Sequence, residues 1–259
     1  MNIRTILAAS AALLIGATAA QAAEVAALSG DNTVSIVDTS KKAVVKTWKI
    51  SGMPGKVLGF DVRPADNMLY AVGDDGGIYT VDLASGKATM KSKLEKTLAA
   101  GSWATVDFNP VADRLRLMSN DGTSLRVNVD DGKVTTDGSH KFADTDMHKG
   151  EKPNVVAGAY INSVKGAKET ALFNIDGTIG GLIKQAPPND GVLAAIGKLG
   201  IKADSVAFDI SSDGAGKNEA WLMSGDTLYS VDLATGKATE AAKIAGVSGT
   251  VKDIAIMGI

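Results

Sequence analysis

The sequence predicts an all-β chain: one β-propeller of five four-stranded blades, closed by pairing the C-terminal strand with the N-terminal segment. Three observations carry that expectation. The last nine residues, Val251-Lys-Asp-Ile-Ala-Ile-Met-Gly-Ile259, read as one strand with no neighbouring partner. Near the other end stand three strand-like runs, around Glu24–Ser29, Thr33–Asp38 and Ala43–Ile50, with no strand before them. One plus three is the strand count of a propeller blade. Finally, two short motifs recur along the chain with a period in the forties, the spacing of blades.

The first motif is clearest in Ile78-Tyr-Thr-Val-Asp-Leu-Ala-Ser-Gly-Lys-Ala-Thr89 and Leu228-Tyr-Ser-Val-Asp-Leu-Ala-Thr-Gly-Lys-Ala-Thr239. Weaker copies are Leu125–Gly132 and Val34–Lys42. Each alternates apolar and polar residues and then breaks at turn formers, which is strand, hairpin, strand. Asp82, Asp130, Asp176 and Asp232 stand at these breaks and read as turn residues. The second motif opens each unit: Gly59-Phe-Asp-Val-Arg-Pro64, Val106-Asp-Phe-Asn-Pro110, Gly158-Ala-Tyr-Ile-Asn162, Ala207-Phe-Asp-Ile-Ser211 and Lys252-Asp-Ile-Ala255. The equivalent positions read as Asp61, Asp107, Ala159, Asp209 and Asp253, separated by 46, 52, 50 and 44 residues. Blades are expected near 57–101, 102–150, 151–201 and 202–247, with 248–259 joining 23–52 as the fifth. A six-bladed ring with one degenerate blade and a β-sandwich are the competing architectures. Leu94–Gly101 is the best candidate for a short helical turn.

Residues 1–22 read as a secretory signal peptide: Arg4 gives the basic start, Ile6 to Ala19 the apolar stretch, and Ala20-Gln21-Ala22 a small-x-small cleavage site. Residues 23–259, about 237 of them, then form a single domain in the periplasm of a Gram-negative bacterium, with release to the medium as the alternative. The chain has no cysteine, which excludes disulfides, thiolate metal sites and a lipid-anchor cysteine. The net charge is −2, or −3 without Arg4, and argues against nucleic acid or an anionic membrane as partner.

The recurring Asp61, Asp107, Asp209 and Asp253 form the most informative set of candidate site residues. Converging on the axis, these carboxylates suit Ca²⁺, which takes six to eight oxygens. Equally, they suit a structural role, accepting backbone N–H groups. Arg63, Arg114 and Arg116 break the symmetry. Two guanidiniums at positions two apart share a strand face and fit a carboxylate or phosphate ligand, or an Arg–Asp network that buttresses blades one and two. With Asn109 they complete the candidate ligand-binding set Asp61, Arg63, Asp107, Asn109, Arg114, Arg116 and Asp209. Gln185-Ala-Pro-Pro-Asn-Asp-Gly191 reads as a rigid loop. Asp144-Thr-Asp146-Met-His148 with His140 reads as a solvated loop, with metal binding as the other option. Trp48, Trp103 and Trp221 read as packing residues.

No catalytic set assembles. A Ser-His-Asp triad would have to recruit His140 or His148 from one loop. None of the six glutamates, Glu24, Glu95, Glu151, Glu169, Glu219 and Glu240, falls in the inner-strand motif, so a glycosidase pair lacks support. No phosphate-cradling glycine loop lies between a strand and a helix.

Four segments together resemble the bacterial family known as "domain of unknown function 4394": Gly59-Phe-Asp-Val-Arg-Pro, Leu69-Tyr-Ala-Val-Gly, Val106-Asp-Phe-Asn-Pro-Val-Ala-Asp-Arg-Leu-Arg116 and Gln185–Gly191. The likeness spans nearly all of the chain past the leader. It implies one exported domain and brings no activity with it. The Tyr-x-Val-Asp-x-x-Thr-Gly-Lys repeats are also similar to those of lactonase-like and quinoprotein-like propellers, which reflects blade construction. Three functions are therefore expected in order: a non-enzymatic module that binds a small molecule or an envelope protein, a Ca²⁺-dependent lactonase-like hydrolase built on the Asp ring, and a structural envelope component.

Overall fold

The computed structural model describes residues 23–30 and 32–257. The leader segment 1–22 and the last two residues of the expected closing strand lie outside the described residues. The first three strands are β1 (Glu24–Ser29), β2 (Thr33–Asp38) and β3 (Ala43–Lys49). Blade one is β4 (Val57–Arg63), β5 (Met68–Gly73), β6 (Gly77–Val81) and β7 (Ala88–Lys93). Blade two is β8 (Ala104–Asn109), β9 (Arg114–Ser119), β10 (Ser124–Val127) and β11 (Val134–Thr136), followed by β12 (Lys141–Phe142). Blade three is β13 (Val155–Tyr160), β14 (Leu172–Asp176), β15 (Gly181–Gln185) and β16 (Val192–Lys198). Blade four is β17 (Ala207–Ser212), β18 (Asn218–Ser224), β19 (Thr227–Val231) and β20 (Ala238–Lys243). The last strand, β21 (Val251–Met257), pairs antiparallel with β1, so the fifth blade runs β21-β1-β2-β3 and the ring closes as the sequence predicts.

Burial follows from this ring. Each inner strand has neighbours on both faces, and β13 and β17 are buried at every residue. The outer strands β3 and β7 are mostly exposed and carry lysines, which discourage pairing with other chains. One apolar cluster fills each blade junction. Between blades one and two, Tyr70, Val72 and Ile78 meet Phe108, Leu115 and Leu117. Between blade five and blade one, Leu28, Val34 and Ile36 meet Phe60, Leu69 and Tyr79. A lone blade buries neither face, so stability resides in the junctions.

Three details depart from the sequence reading. Leu94–Gly101 contains no helical turn. Its backbone is drawn into long-range bonds instead: Leu94 N–H donates to Gly76 O at 2.8 Å and Glu95 N–H to Gly132 O at 3.0 Å. The boundary between blades two and three is crossed, because β12 leaves blade two and adds a parallel edge strand to β16. In blade two the turn position held by Asp82 and Asp232 elsewhere belongs to Asn128, whose side chain accepts from Asp130 N–H. Asp130 is thereby displaced outward, where it pairs with Lys91 and Arg63.

Removing Val251 onward strips β1 of its inner partner and opens two junctions at once. Circular dichroism melting of that deletion variant is expected to show no cooperative transition. A melt like that of the intact chain would refute ring closure as the source of stability.

Candidate functional site

An inner strand is hydrogen-bonded on one edge only, which leaves a row of N–H groups facing the axis. The axial aspartates answer that need. Asp61 accepts from Phe108 N–H of the next inner strand at 2.8 Å, Asp107 from Tyr160 N–H at 3.0 Å, Asp209 from Ile256 N–H at 2.6 Å and Asp253 from Phe60 N–H at 2.9 Å. Asp61, Asp209 and Asp253 also accept from the N–H of their own following residue. The inner strands follow the cyclic order β4, β8, β13, β17, β21, so each carboxylate ties its blade to the next.

Register assigns these residues to layers. Asp61, Asp107, Ala159 and Asp209 pair with Tyr70, Arg116, Phe173 and Trp221, and occupy one layer. Asp253 does not belong to it. It pairs with Leu28, which faces Val34 across the next hairpin as Val72 faces Ile78, and Val72 pairs with Gly59. Asp253 is therefore the counterpart of Gly59, and Ala255 takes the Asp61 position. Space agrees: a Cβ at Gly59 would stand 2.7 Å from Asp253 Oδ2. Of the four candidate metal ligands, Asp61, Asp107 and Asp209 have ligand atoms within 4.8 Å of one another, and Asp253 lies one layer away.

All four are buried. Burial, reinforced by neighbouring carboxylates, pushes Asp61 and Asp107 well above the usual carboxylate range, and the N–H donors only partly offset it. Asp253 is raised in the same way, chiefly by burial. Burial pushes Asp209 up to about 6.

A cavity of about 500 Å³ opens at the end of the channel where the inner strands finish. Asp61 and Asp209 stand in its wall with Ser211, Ser212, Ser163 and Lys165. The loop 161–171 between β13 and β14 reaches over this mouth, and a second opening beside it brings Lys165 and Lys168 close to Pro64 of blade one and Pro110 of blade two. In the sequence the serines carry no signal. The length of this loop, set against 64–67 and 110–113 in blades one and two, is the cue that could have found them.

The remaining members of the expected ligand set stand apart from this cavity. Arg63 is buried and bonded to Asp113, Asp66, Asp130 and the Tyr70 hydroxyl. Arg116 is 1% exposed, with Asp137, Ser124, Tyr160 and Asn189 around its guanidinium. Arg114 donates to Asp113 O on the rim, and Asn109 Oδ1 accepts from Val111 and Ala112 N–H. Through Asn189 the Gln185–Gly191 loop docks on blade two, and Gln185 Nε2 donates to Pro188 O. The two histidines do not meet in a metal site. His148 Nδ1 lies 3.2 Å from Glu151 Oε2, and Asp146 accepts from Ala195 N–H at 2.7 Å. His140 is buried with both ring nitrogens unpaired, and burial, with Arg116 nearby, pushes it down to about 4. Trp103 Nε1 donates to Val156 O, and Trp48 and Trp221 pack at junctions.

The family model for the domain of unknown function DUF4394 matches residues 33–255. The chain belongs to that family. Among solved structures it is similar to a protein of unknown function from Bacteroides thetaiotaomicron, with 16% identity and a TM-score of 0.55, over 92% of this chain and 65% of that one. It also matches a protein of unknown function from Bacteroides caccae, with 11% identity and a TM-score of 0.48, over 92% of this chain and all of the other. The first likeness speaks for the fold alone. No curated protein matches the chain. No helix among the described residues is long and apolar enough to cross a membrane.

Two outcomes follow. Arg116→Ala leaves Asp137 with Arg126 alone and opens a void, so urea unfolding is expected to report a loss of about 3–5 kcal/mol. A variant as stable as the parent would rule out the buttress. The second concerns Asp209. Its raised pKa means that its proton stabilises the fold below its unfolded value near 3.8, and that contribution is lost as pH rises through about 6. His140 works in the opposite sense, its contribution being lost as pH falls toward about 4, so a difference measurement is needed. Melting of wild type and Asp209→Asn at about pH 4.5 and about pH 7 is expected to show wild type losing ground to the variant at the higher pH. A gap that does not move with pH would contradict this.

Proposed function

We propose that this chain is an exported, non-enzymatic binding propeller that takes a small polar ligand at the mouth of its axial channel. The single observation behind the reading is the cavity of about 500 Å³, walled from several blades by carboxylates, hydroxyls and the exposed Lys165. Its size falls in the range of small-molecule sites. Hydroxyl and amine groups on the ligand match that wall, since carboxylates and carbonyls accept while serine and lysine donate. Export rests on the basic start, apolar stretch and small-x-small site of residues 1–22, which point to the periplasm.

Saturation-transfer NMR with a panel of polyols, amino acids and small sugars tests the reading. Wild type is expected to bind at least one class, and Ala65→Trp, which fills the wall, to lose the signal with its fold intact. Binding that survives in the filled variant would move the site elsewhere. Silence across the panel would count against a small-molecule role.

A further inference from the structure

We propose that Asp61, Asp107 and Asp209 form a divalent-cation site on the propeller axis, with Ca²⁺ as its preferred occupant. The inference rests on the axial cluster and stands whether or not the cavity takes an organic ligand. Three carboxylates with ligand atoms within 4.8 Å of one another are an electrostatic liability in a buried setting. None of the ion pairs made by the described residues gives them a cationic partner; Arg63, Lys91 and Arg116 are spent on Asp66, Asp113, Asp130 and Asp137. The backbone N–H groups that hold the carboxylates do not exhaust them. Each ionised oxygen accepts about twice, and one donor per oxygen is the most seen at Asp61 and Asp209.

A second observation is independent of the acids. Thr105 is 4% exposed, and its Oγ1 has no hydrogen-bond partner. It precedes Asp107 by two residues on β8, so alternation puts it on the same face of that strand, in the adjoining layer with Gly59 and Asp253. An unsatisfied hydroxyl at that depth is costly, and a water in the shell of a cation one layer away supplies the missing partner. The rest of the layer gives room: Ala159 and Ala255 present only methyl groups. Asp61 and Asp209 stand in the cavity wall, which provides the entry path.

Donor chemistry selects the ion. The set is all oxygen, with no histidine or cysteine, which disfavours Zn²⁺ and Cu²⁺. Carboxylates fixed by the backbone cannot all meet the strict octahedron of Mg²⁺, whereas Ca²⁺ accepts six to eight oxygens in loose geometry and completes its shell with water.

Calcium itself is the probe. The chain from Ala23 is stripped with EDTA, desalted and measured by native mass spectrometry and thermal melting with CaCl₂ or MgCl₂ at about 1 mM, the range of extracellular calcium modules. One bound calcium per chain and a rise in melting temperature of several degrees are expected, with a smaller response to magnesium. Asp107→Asn keeps an acceptor for Tyr160 N–H and is expected to fold yet lose both responses. Should that variant fail to fold, Thr105→Val, which removes only the hydroxyl, is expected to weaken the calcium response. A wild-type chain whose mass and melting ignore calcium overturns the site. Calcium bound equally by wild type and whichever variant folds places it elsewhere and overturns the site as well.

Discussion

The unpaired inner edge of each blade is the constraint from which the rest of the molecule follows. A sheet of four strands leaves one row of N–H groups facing the axis, and water reaches few of them. A carboxylate from the preceding inner strand meets that need at four junctions: Asp61 on Phe108, Asp107 on Tyr160, Asp209 on Ile256 and Asp253 on Phe60. One interaction satisfies a buried donor and joins two blades. Its cost is negative charge gathered at the centre of a nearly neutral protein, visible as raised carboxylate pKa values.

The junction between β13 and β17 lacks this device, since Ala159 stands where the aspartate would be. The seal there lies at the strand ends. Asn162 and Asn218 bond reciprocally, and Ser163 N–H donates to Ser212 Oγ. Moving the fastening outward frees room at the axis and draws the loop 161–171 over the channel mouth. The cavity opens beside this one junction, so the repeating parts build the ring and the exception to the repeat shapes the site.

What the sequence disclosed sorts by range. Turn aspartates such as Asp82 and Asp232 were legible because a side chain capping N–H groups two and three residues on is local chemistry. Ring closure was legible because an apolar strand without a partner demands one. Asp253 sits one layer away from where its sequence suggests: its Asp-Ile pair imitates Asp61-Val62, but pairing with Leu28 decides the layer, and identity carries no register. Arg114 and Arg116 share strand β9, as their spacing implies. The burial of Arg116 depends on Asp137 and Asn189, distant in sequence, which no spacing rule connects. The serines of the cavity are ordinary residues whose role comes entirely from the fold.

Closure and axial charge are the same event. Strand β21 arrives last along the chain and is clasped from both sides: its Ile256 N–H enters Asp209, and its Asp253 reaches Phe60, 193 residues back. Until then β1 exposes an apolar inner edge, and Phe60 N–H and Asp209 lack the partners that make their burial tolerable. Such a contact closes a long loop, whose entropy grows only slowly with length, while the reward includes two filled junctions and two carboxylate clasps. Completing the ring therefore joins the first and last blades in one step, and a divalent ion on the axis would act at that same step by relieving the charge that closure concentrates.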